Sequence, residues 1–351
     1  AISLLLISKV PTYSFKKISV QRKSTIFLLF GFVLFFALLL IYPFKVIVIS
    51  GIIYLLSIPI SYFHFKKLSK KEYDKILDNK PRLSYGIAVT DINKDGADEF
   101  IVTGFGYPNL ALKYESGKLI NVVNDSIFQD STRSSIGVAA CDIDKDGFEE
   151  IYFLNTDTYS GTKKYSDRLI DKSNNNYFVL FELEKNIENL NLTAGRSVVC
   201  VDRKGNGQYG IYVANYGGPT RFYETINNKI NDKAVELGIN KITGGRAIVS
   251  GHILSNQSDI FAANERGDNF LYYNLNGSFT DVAEDYQVED RYENGRGTAL
   301  SDILYRGRLD ILTSNWDGNH RAYVLDGDKF KDISQPPYND PTKIRTVISA
   351  D

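Results

Sequence analysis

The chain shows two different patterns of hydrophobic and polar positions. Near its amino end, two uncharged apolar runs of about 17 and 18 residues, 26–42 and 46–63, are separated by three residues. Runs of this length lie near the lower limit for helices that cross a bilayer. We therefore predict a transmembrane helical hairpin over residues 26–63, within a helical segment, 1–65, that begins with the end of an earlier helix.

From residue 82 onward the apolar runs become short. They are rich in Val, Ile, Tyr and Phe and are separated by turns of Gly, Asn and Asp, which is typical of antiparallel strands. Similar units begin at Tyr85, Ile136, Gly195, Gly245 and Gly295. Because units of about 40–50 residues with several strands each are typical of propeller blades, we predict an all-β, incomplete β-propeller of about five blades.

The stretch between these two parts is polar and charged. We predict three segments: the transmembrane segment 1–65, a charged linker 66–81, and the propeller 82–351, truncated at its carboxyl end. The chain contains no Met, and its last residues, VISAD, repeat the register of IAVTD and VAACD. We interpret the sequence as a fragment at both ends.

The first two units each contain an acidic loop centred on glycine, TDINKDGADE and CDIDKDGFEE. Side-chain oxygens occupy positions 1, 3, 5 and 9 of both loops, where they can converge on one hard cation, and calcium takes six to eight oxygens. An EF-hand would need Glu at position 12, where this chain has Val102 and Phe153. The sequence thus predicts two calcium sites with these ligands: Asp91, Asn93, Asp95, Glu99, Asp142, Asp144, Asp146 and Glu150.

The corresponding loops of the later units have lost acidic residues. Lys204 replaces a ligand in the third unit, and Leu304 and Arg306 replace the middle ligands in the fifth. A lysine or an arginine can supply its own positive charge in place of a cation. We therefore expect metal in the first two units only.

The stretches YPNLALKY, ACDIDKDGFEEIYFLNT, AGRSVVCVDRKGNGQYGIYVANY and SDIFAANERGDNFLYYN resemble a known family. They are similar to the FG-GAP/VCBS-type propellers of the cartilage acidic protein family, which often carry an ASPIC/UnbV segment after the propeller. The resemblance implies a seven-bladed, calcium-binding propeller that acts in adhesion or protein interaction, with no established catalysis. We predict a membrane-attached calcium-binding module whose partners are the lipid bilayer and an unknown protein.

The amino-terminal part carries a second resemblance. LLLISKVPTYSFKK, followed by a basic stretch and two apolar runs, resembles the carboxyl end of the bacterial CDP-diacylglycerol–serine O-phosphatidyltransferases, the phosphatidylserine synthases of the CDP-alcohol phosphatidyltransferase family. That chemistry depends on a D-G-x2-A-R-x8-G-x3-D-x3-D motif, which this chain does not contain. The alternative function is therefore the carboxyl-terminal part of such an enzyme, whose catalytic motif would lie upstream. No catalytic residue is predicted, and whether the chain belongs to an enzyme stays open.

The two resemblances imply different locations. Basic residues flank the apolar runs on both sides, so the positive-inside rule predicts a cytoplasmic propeller at a membrane, whereas the propeller family implies an extracytoplasmic one. Three explanations stay open: a true fusion, an inverted topology, and two neighbouring genes joined by an assembly error. The formal net charge of −1 and the pI near 6.4 argue against a nucleic-acid partner.

Two further sets of residues recur in register. Cys141 and Cys200 precede the second and third loops, and we expect two buried thiols rather than a disulfide, because equivalent positions of adjacent blades need not touch. Arg196, Arg246 and Arg296 each follow a glycine at intervals of 50 residues. We favour a structural role for these arginines through carbonyl contacts, and the alternative is a common rim that binds an acidic group.

Overall fold

A computed structural model describes residues 25–52, 54, 59, 62–63, 66, 83–173 and 176–349. The chain divides into two compact units, residues 1–81 and 82–351, which are described separately here. The predictions made for residues 1–24, and those for most of the charged linker, fall outside the described residues.

The described part of the first unit is helical. Helix α1 spans Thr25–Ile41, and residues 43–52 are also helical. The N–H of Tyr42 donates to the carbonyl of Leu38 at 2.8 Å, and the N–H of Val46 donates to the carbonyl of Tyr42 at 3.1 Å, so helical hydrogen bonding continues across Tyr42. Pro43 starts the second helical stretch, where its missing N–H is tolerated.

The predicted hairpin therefore has no support here, because helical hydrogen bonds continue where its turn was expected. Within the residues that the structure describes, no helix is both long and apolar enough to cross a bilayer. Membrane attachment stays a prediction.

The described strands of the second unit form five successive antiparallel groups of four, here called blades 1 to 5, and the fold is β-propeller-like. Pairing of Tyr216 with Gly244 joins blades 3 and 4 into one eight-stranded sheet. The described strands of blades 1 to 3 are β1 (Ile87–Thr90), β2 (Glu99–Val102), β3 (Leu110–Glu115) and β4 (Lys118–Asn121); β5 (Ser135–Cys141), β6 (Glu150–Asn155), β7 (Arg168–Ser173) and β8 (Asn176–Val179); and β9 (Gly195–Val201), β10 (Gly210–Pro219), β11 (Arg221–Ile226) and β12 (Lys229–Asp232). Those of blades 4 and 5 are β13 (Ile242–Gly251), β14 (Asp259–Asn264), β15 (Phe270–Leu275) and β16 (Ser278–Asp281); and β17 (Gly295–Ser301), β18 (Asp310–Gly318), β19 (Arg321–Asp326) and β20 (Lys329–Asp332), with β21 (Thr342–Lys343) pairing β18. The short helix α2 (Ser126–Gln129) and the 3-10 turns Leu180–Glu182 and Glu184–Asn189 lie in the connections.

The core lies within and between the blades. The second strands β6 and β14 are buried along their whole length, which explains why they read as continuous apolar runs rather than alternating ones. The first strands of consecutive blades lie beside one another, β1 with β5, β5 with β9, β9 with β13 and β13 with β17. Equivalent positions of adjacent first strands therefore face each other across each blade interface.

This arrangement corrects the prediction made for the cysteines. Cys141 in β5 and Cys200 in β9 form a disulfide with their Cα atoms 6.3 Å apart. The prediction of two thiols was wrong because it treated equivalent positions of adjacent blades as separate, whereas neighbouring first strands bring them together. The bond joins blades 2 and 3.

Candidate metal centre

The acidic loop of blade 2 is folded around its own carboxylates. Asp142 accepts hydrogen bonds from the backbone N–H groups of Lys145 and Gly147 at 2.5 and 2.9 Å, and Asp146 accepts one from Phe148 at 2.7 Å. Gly147 has a φ of +82°, a conformation that side-chain-bearing residues rarely adopt. The glycine at position 6 is thus required by the turn that makes the acidic side chains converge.

Glu150, the first residue of β6, lies beneath this loop and is only 1% exposed. Its Oε2 accepts a hydrogen bond from the N–H of Ile143 at 2.8 Å, while Oε1 is buried and has no hydrogen-bond partner. Burial, and then the charges of Asp144, Asp171 and Asp142, raise the pKa of Glu150 to about 9. An unpartnered buried carboxylate oxygen costs free energy unless a proton or a cation satisfies it.

Asp171, which the sequence analysis missed, completes the cluster from another strand. Ile151 pairs with Ile170 between β6 and β7, so Asp171 comes to lie beside Glu150. The carboxylate oxygens of Asp144, Glu150 and Asp171 lie within 4.8 Å of one another, and those of Asp142, Asp144 and Asp146 do the same. The sequence gives only a weak signal for Asp171, an acid that directly follows the apolar pair Leu169–Ile170 and shows no loop spacing.

The charge of this cluster is unbalanced. Burial raises the pKa of both Asp144 and Asp171, and neighbouring carboxylates add to the shift in each case. Across the described part of the chain, no lysine or arginine forms an ion pair with any of the five acidic residues. Five carboxylates, two of them buried, form an oxygen donor set that suits a hard divalent cation.

The loop of blade 1 has the same backbone but a different charge. Of the predicted ligands, Asp91 and Asn93 accept hydrogen bonds within the loop, and the fully buried Glu99 accepts one from the N–H of Ile92 at 3.2 Å and one from the side-chain amide of Asn93 at 3.4 Å. Among the described residues, groups of three acids close enough to share a metal ion occur only in blade 2. Lys113 forms an ion pair with Asp95, and its Nζ lies 3.8 Å from Glu99 Oε1. The side chain of Lys113 therefore reaches two acids of this loop, Asp95 and Glu99.

Lys113 occupies the position in blade 1 that Asp171 occupies in blade 2. Phe100 pairs with Leu112 between β2 and β3, as Ile151 pairs with Ile170 between β6 and β7, and the next residue along the strand is Lys113 in one blade and Asp171 in the other. Glu99 and Glu150 start equivalent strands. The residue at the position of Lys113 and Asp171 therefore decides whether a positive ammonium group or a further carboxylate faces the buried glutamate.

In the part of blades 3 to 5 that the structure describes, no cluster of acids surrounds the start of the second strand. In four of the five described blades, the second strand starts with a buried acid: Glu99, Glu150, Asp259 and Asp310. Asp310 forms an ion pair with Arg306 at 2.9 Å, which confirms that an arginine supplies the charge in blade 5. Asp259 instead accepts hydrogen bonds from the N–H groups of Leu254, Ser255 and Asn274 at 2.7 to 2.8 Å.

Comparisons with known proteins agree with the repeat pattern. Residues 91–153 match the FG-GAP-like repeat family. Over 311 residues the chain is 43% identical to cartilage acidic protein 1 of Xenopus tropicalis, covering 80% of this chain and 48% of that protein. It is 42% identical over 310 residues to cartilage acidic protein 1 of Homo sapiens, covering 80% of this chain and 46% of that protein. The chain thus spans about half the length of these curated relatives.

A solved structure of BBS1N in complex with ARL6DN is similar with a TM-score of 0.44 at 12% identity, covering 72% of this chain and 69% of that chain. The resemblance of the amino-terminal part to phosphatidylserine synthases has no support in these comparisons. The repeat match covers residues 91–153, and the similarity to the cartilage acidic proteins extends over 80% of the chain.

Proposed function

We propose that residues 82–351 form a calcium-binding, β-propeller-like module for protein interaction that works outside the cytoplasm. The observation that carries the calcium proposal is the unpartnered Oε1 of the buried Glu150, which lies against Asp144 and Asp171. A divalent cation would satisfy this oxygen and remove the mutual repulsion of the carboxylates. When bound, calcium would supply charge neutralisation and fix the loop in one conformation.

The two predicted calcium sites are not equivalent in this proposal. The ligands of the blade 2 site are Asp142, Asp144, Asp146, Glu150 and Asp171, with no base among them. In blade 1, the ammonium group of Lys113 already lies beside Asp95 and Glu99, so a cation entering there must displace or tolerate a positive charge. We therefore propose that blade 2 holds the stronger site and that blade 1 binds calcium weakly or only when Lys113 moves away.

The proposed location rests on the disulfide. Disulfides persist in oxidising compartments and are rare in the cytosol. The Cys141–Cys200 bond, which joins blades 2 and 3, therefore favours an extracytoplasmic module over the cytoplasmic placement that the basic flanks predict. Calcium concentrations outside the cell also suit weak sites of this kind.

The interaction role is proposed from the repeat family and from the similarity to the cartilage acidic proteins. This proposal assigns no reaction. The alternative function in phospholipid synthesis has no observation in its favour.

Calcium titration of the full chain by isothermal calorimetry tests the metal proposal. We expect wild type to bind calcium and Asp171→Asn to bind it at least about tenfold more weakly, because one charged ligand becomes a neutral amide. Glu149→Gln is the matched control, since Glu149 is an exposed acid next to the site that belongs to neither carboxylate group. Equal affinity in wild type and Asp171→Asn would refute this ligand set, and no heat of binding in wild type would refute calcium binding itself.

A further inference from the structure

Three arginines occupy equivalent positions in the first strands of blades 3 to 5, and a fourth follows them at a similar interval in the sequence. Arg196, Arg246 and Arg296 each follow the glycine that pairs with the asparagine at or near the end of the second strand, as Gly195 pairs with Asn215. Arg345 follows Arg296 by 49 residues, in the segment IRTVISAD that repeats the register of GRGTALSD. We call Arg196, Arg246, Arg296 and Arg345 the arginine ring.

The asparagines that pair with these glycines are Asn215, Asn264 and Asn315, and the residue after each of them lies between two successive arginines. Tyr216 has the guanidinium groups of Arg196 and Arg246 at 5.5 and 4.6 Å from its ring centre. Trp316 has those of Arg296 and Arg345 at 5.3 and 5.5 Å. Guanidinium groups at these distances from aromatic rings make cation–π contacts that hold them in place.

The third residue of this kind is an acid. Glu265 lies between Arg246 and Arg296 and forms ion pairs with both, the one with Arg296 at 2.6 Å. Burial opposes ionisation of this carboxyl, but hydrogen bonds from Arg296 and Arg246 hold its pKa at about 2. The ring therefore contains one example of a carboxylate that bridges two successive arginines.

The ring has more positive than negative charge. Among the residues that the structure describes, Arg196 and Arg345 form no ion pair, while Arg246 and Arg296 share Glu265. Arg196 donates to the carbonyls of Gly195 and Tyr159 and to the hydroxyl of Thr156, all of them uncharged. The carbonyl contacts expected for a structural role are thus present at Arg196, but they leave its charge without a counterion.

We propose that the arginine ring binds carboxylate groups of an acidic peptide segment in a partner protein. Tyr216 and Trp316 take the two positions equivalent to that of Glu265 and carry no negative charge, so Arg196 and Arg345 keep no counterion within the described chain, and a carboxylate from outside would supply one. Planar guanidinium groups match carboxylates through paired hydrogen bonds. This inference rests on the proposed interaction role and does not depend on calcium.

Trp316 is the only tryptophan in the sequence and lies between two arginines of the ring, so its fluorescence reports on ligand binding there. A hexaglutamate peptide is titrated into the full chain at low ionic strength, once with calcium and once with EDTA. We expect a saturable fluorescence change, with Arg196→Gln and Arg345→Gln each weakening the peptide affinity at least about tenfold through loss of a charge-assisted hydrogen bond.

Arg291→Gln is the control, because Arg291 is a half-exposed arginine paired with Asp268 outside the ring. Its removal changes the net charge equally and should alter the affinity by less than about twofold, since salt screens distant charges. Equal losses in all three variants would overturn the proposal in favour of general attraction, and so would an absence of saturable binding. Tighter binding of a sulfated polysaccharide than of the peptide would overturn the choice of a protein partner, and equal binding of inorganic sulfate would reduce the ring to a simple anion site.

If Arg196→Gln unfolds, Arg345→Gln still tests the ring, because Arg345 lies at an exposed position. Peptide binding in EDTA together with failed calcium binding would overturn the metal proposal and leave the ring intact. Calcium binding without peptide binding would overturn the ring proposal and leave the metal proposal intact.

Discussion

Replacing Glu150 with Gln should have opposite effects with and without calcium. In the metal-free protein, Glu150 has a pKa of about 9, against its usual value of 4.5. Between these two pH values the folded state holds a proton that the unfolded state has lost, so the free energy of unfolding falls as pH rises. Glutamine removes this penalty and still offers an oxygen to the N–H of Ile143.

The size of the effect follows from the pKa shift. Each pKa unit corresponds to about 1.4 kcal/mol, and pH 7 lies about 2.5 units above the usual value of 4.5. Metal-free Glu150→Gln should therefore be about 3 kcal/mol more stable than wild type at pH 7 but less than about 1 kcal/mol more stable at pH 5. Excess calcium should reverse the order, because the wild-type carboxylate gains a metal bond that the amide makes only weakly.

Urea unfolding of the full chain, followed by the fluorescence of Trp316 in EDTA and in calcium, measures these differences. Glu149→Gln again serves as the control, and its stability should differ little from wild type at both pH values. A metal-free Glu150→Gln protein less stable than wild type at pH 7, or a difference that does not change with pH, would refute the reasoning about this site.

Three other substitutions test separate features of the blades. Lys113→Asp places a carboxylate at the position equivalent to Asp171, so calorimetry should show a second calcium site at least about tenfold tighter than any second site in wild type; an unchanged second-site affinity would contradict the role given to Lys113. Cys200→Ser removes the bond between blades 2 and 3 and should lower the free energy of unfolding by about 2–5 kcal/mol, measured by urea unfolding against wild type with and without reductant. If reduction lowers the stability of wild type and Cys200→Ser equally, the disulfide is not the cause. Arg306→Gln leaves the buried Asp310 without its counterion and should cost about 1–3 kcal/mol, whereas the exposed Arg308→Gln should cost less than about 0.5 kcal/mol in the same assay. Similar losses in both variants would argue against the ion pair.

The sequence predicted those features that local spacing determines. The blades follow from short apolar runs between Gly and Asn turns, and the acidic loops follow from alternate oxygens around Gly96 and Gly147, both at positive φ. The arginine repeats also emerged directly, because they recur at a fixed interval. In each case the residues concerned lie within one loop or at one repeated position.

Contacts between strands could not be read in the same way. Asp171 reaches Glu150 only through the register of β6 with β7, and Cys141 reaches Cys200 only because β5 and β9 are neighbours. The prediction of a hairpin has no support for a local reason: the sequence analysis places Pro43 in a turn, although a proline is also compatible with the first position of a helix. Residue spacing alone does not separate these two uses of proline.

The buried acid that starts the second strand gives four of the five described blades the same electrostatic requirement, which this chain meets in several ways: with a lysine, with an arginine, with backbone N–H groups and, in our proposal, with a metal ion. A blade can then gain or lose its ion through one substitution without any change in its backbone. In such a repeat protein, calcium dependence is thus a property of each blade rather than of the whole fold. Two chains with the same architecture can therefore differ in how many ions they need, and where.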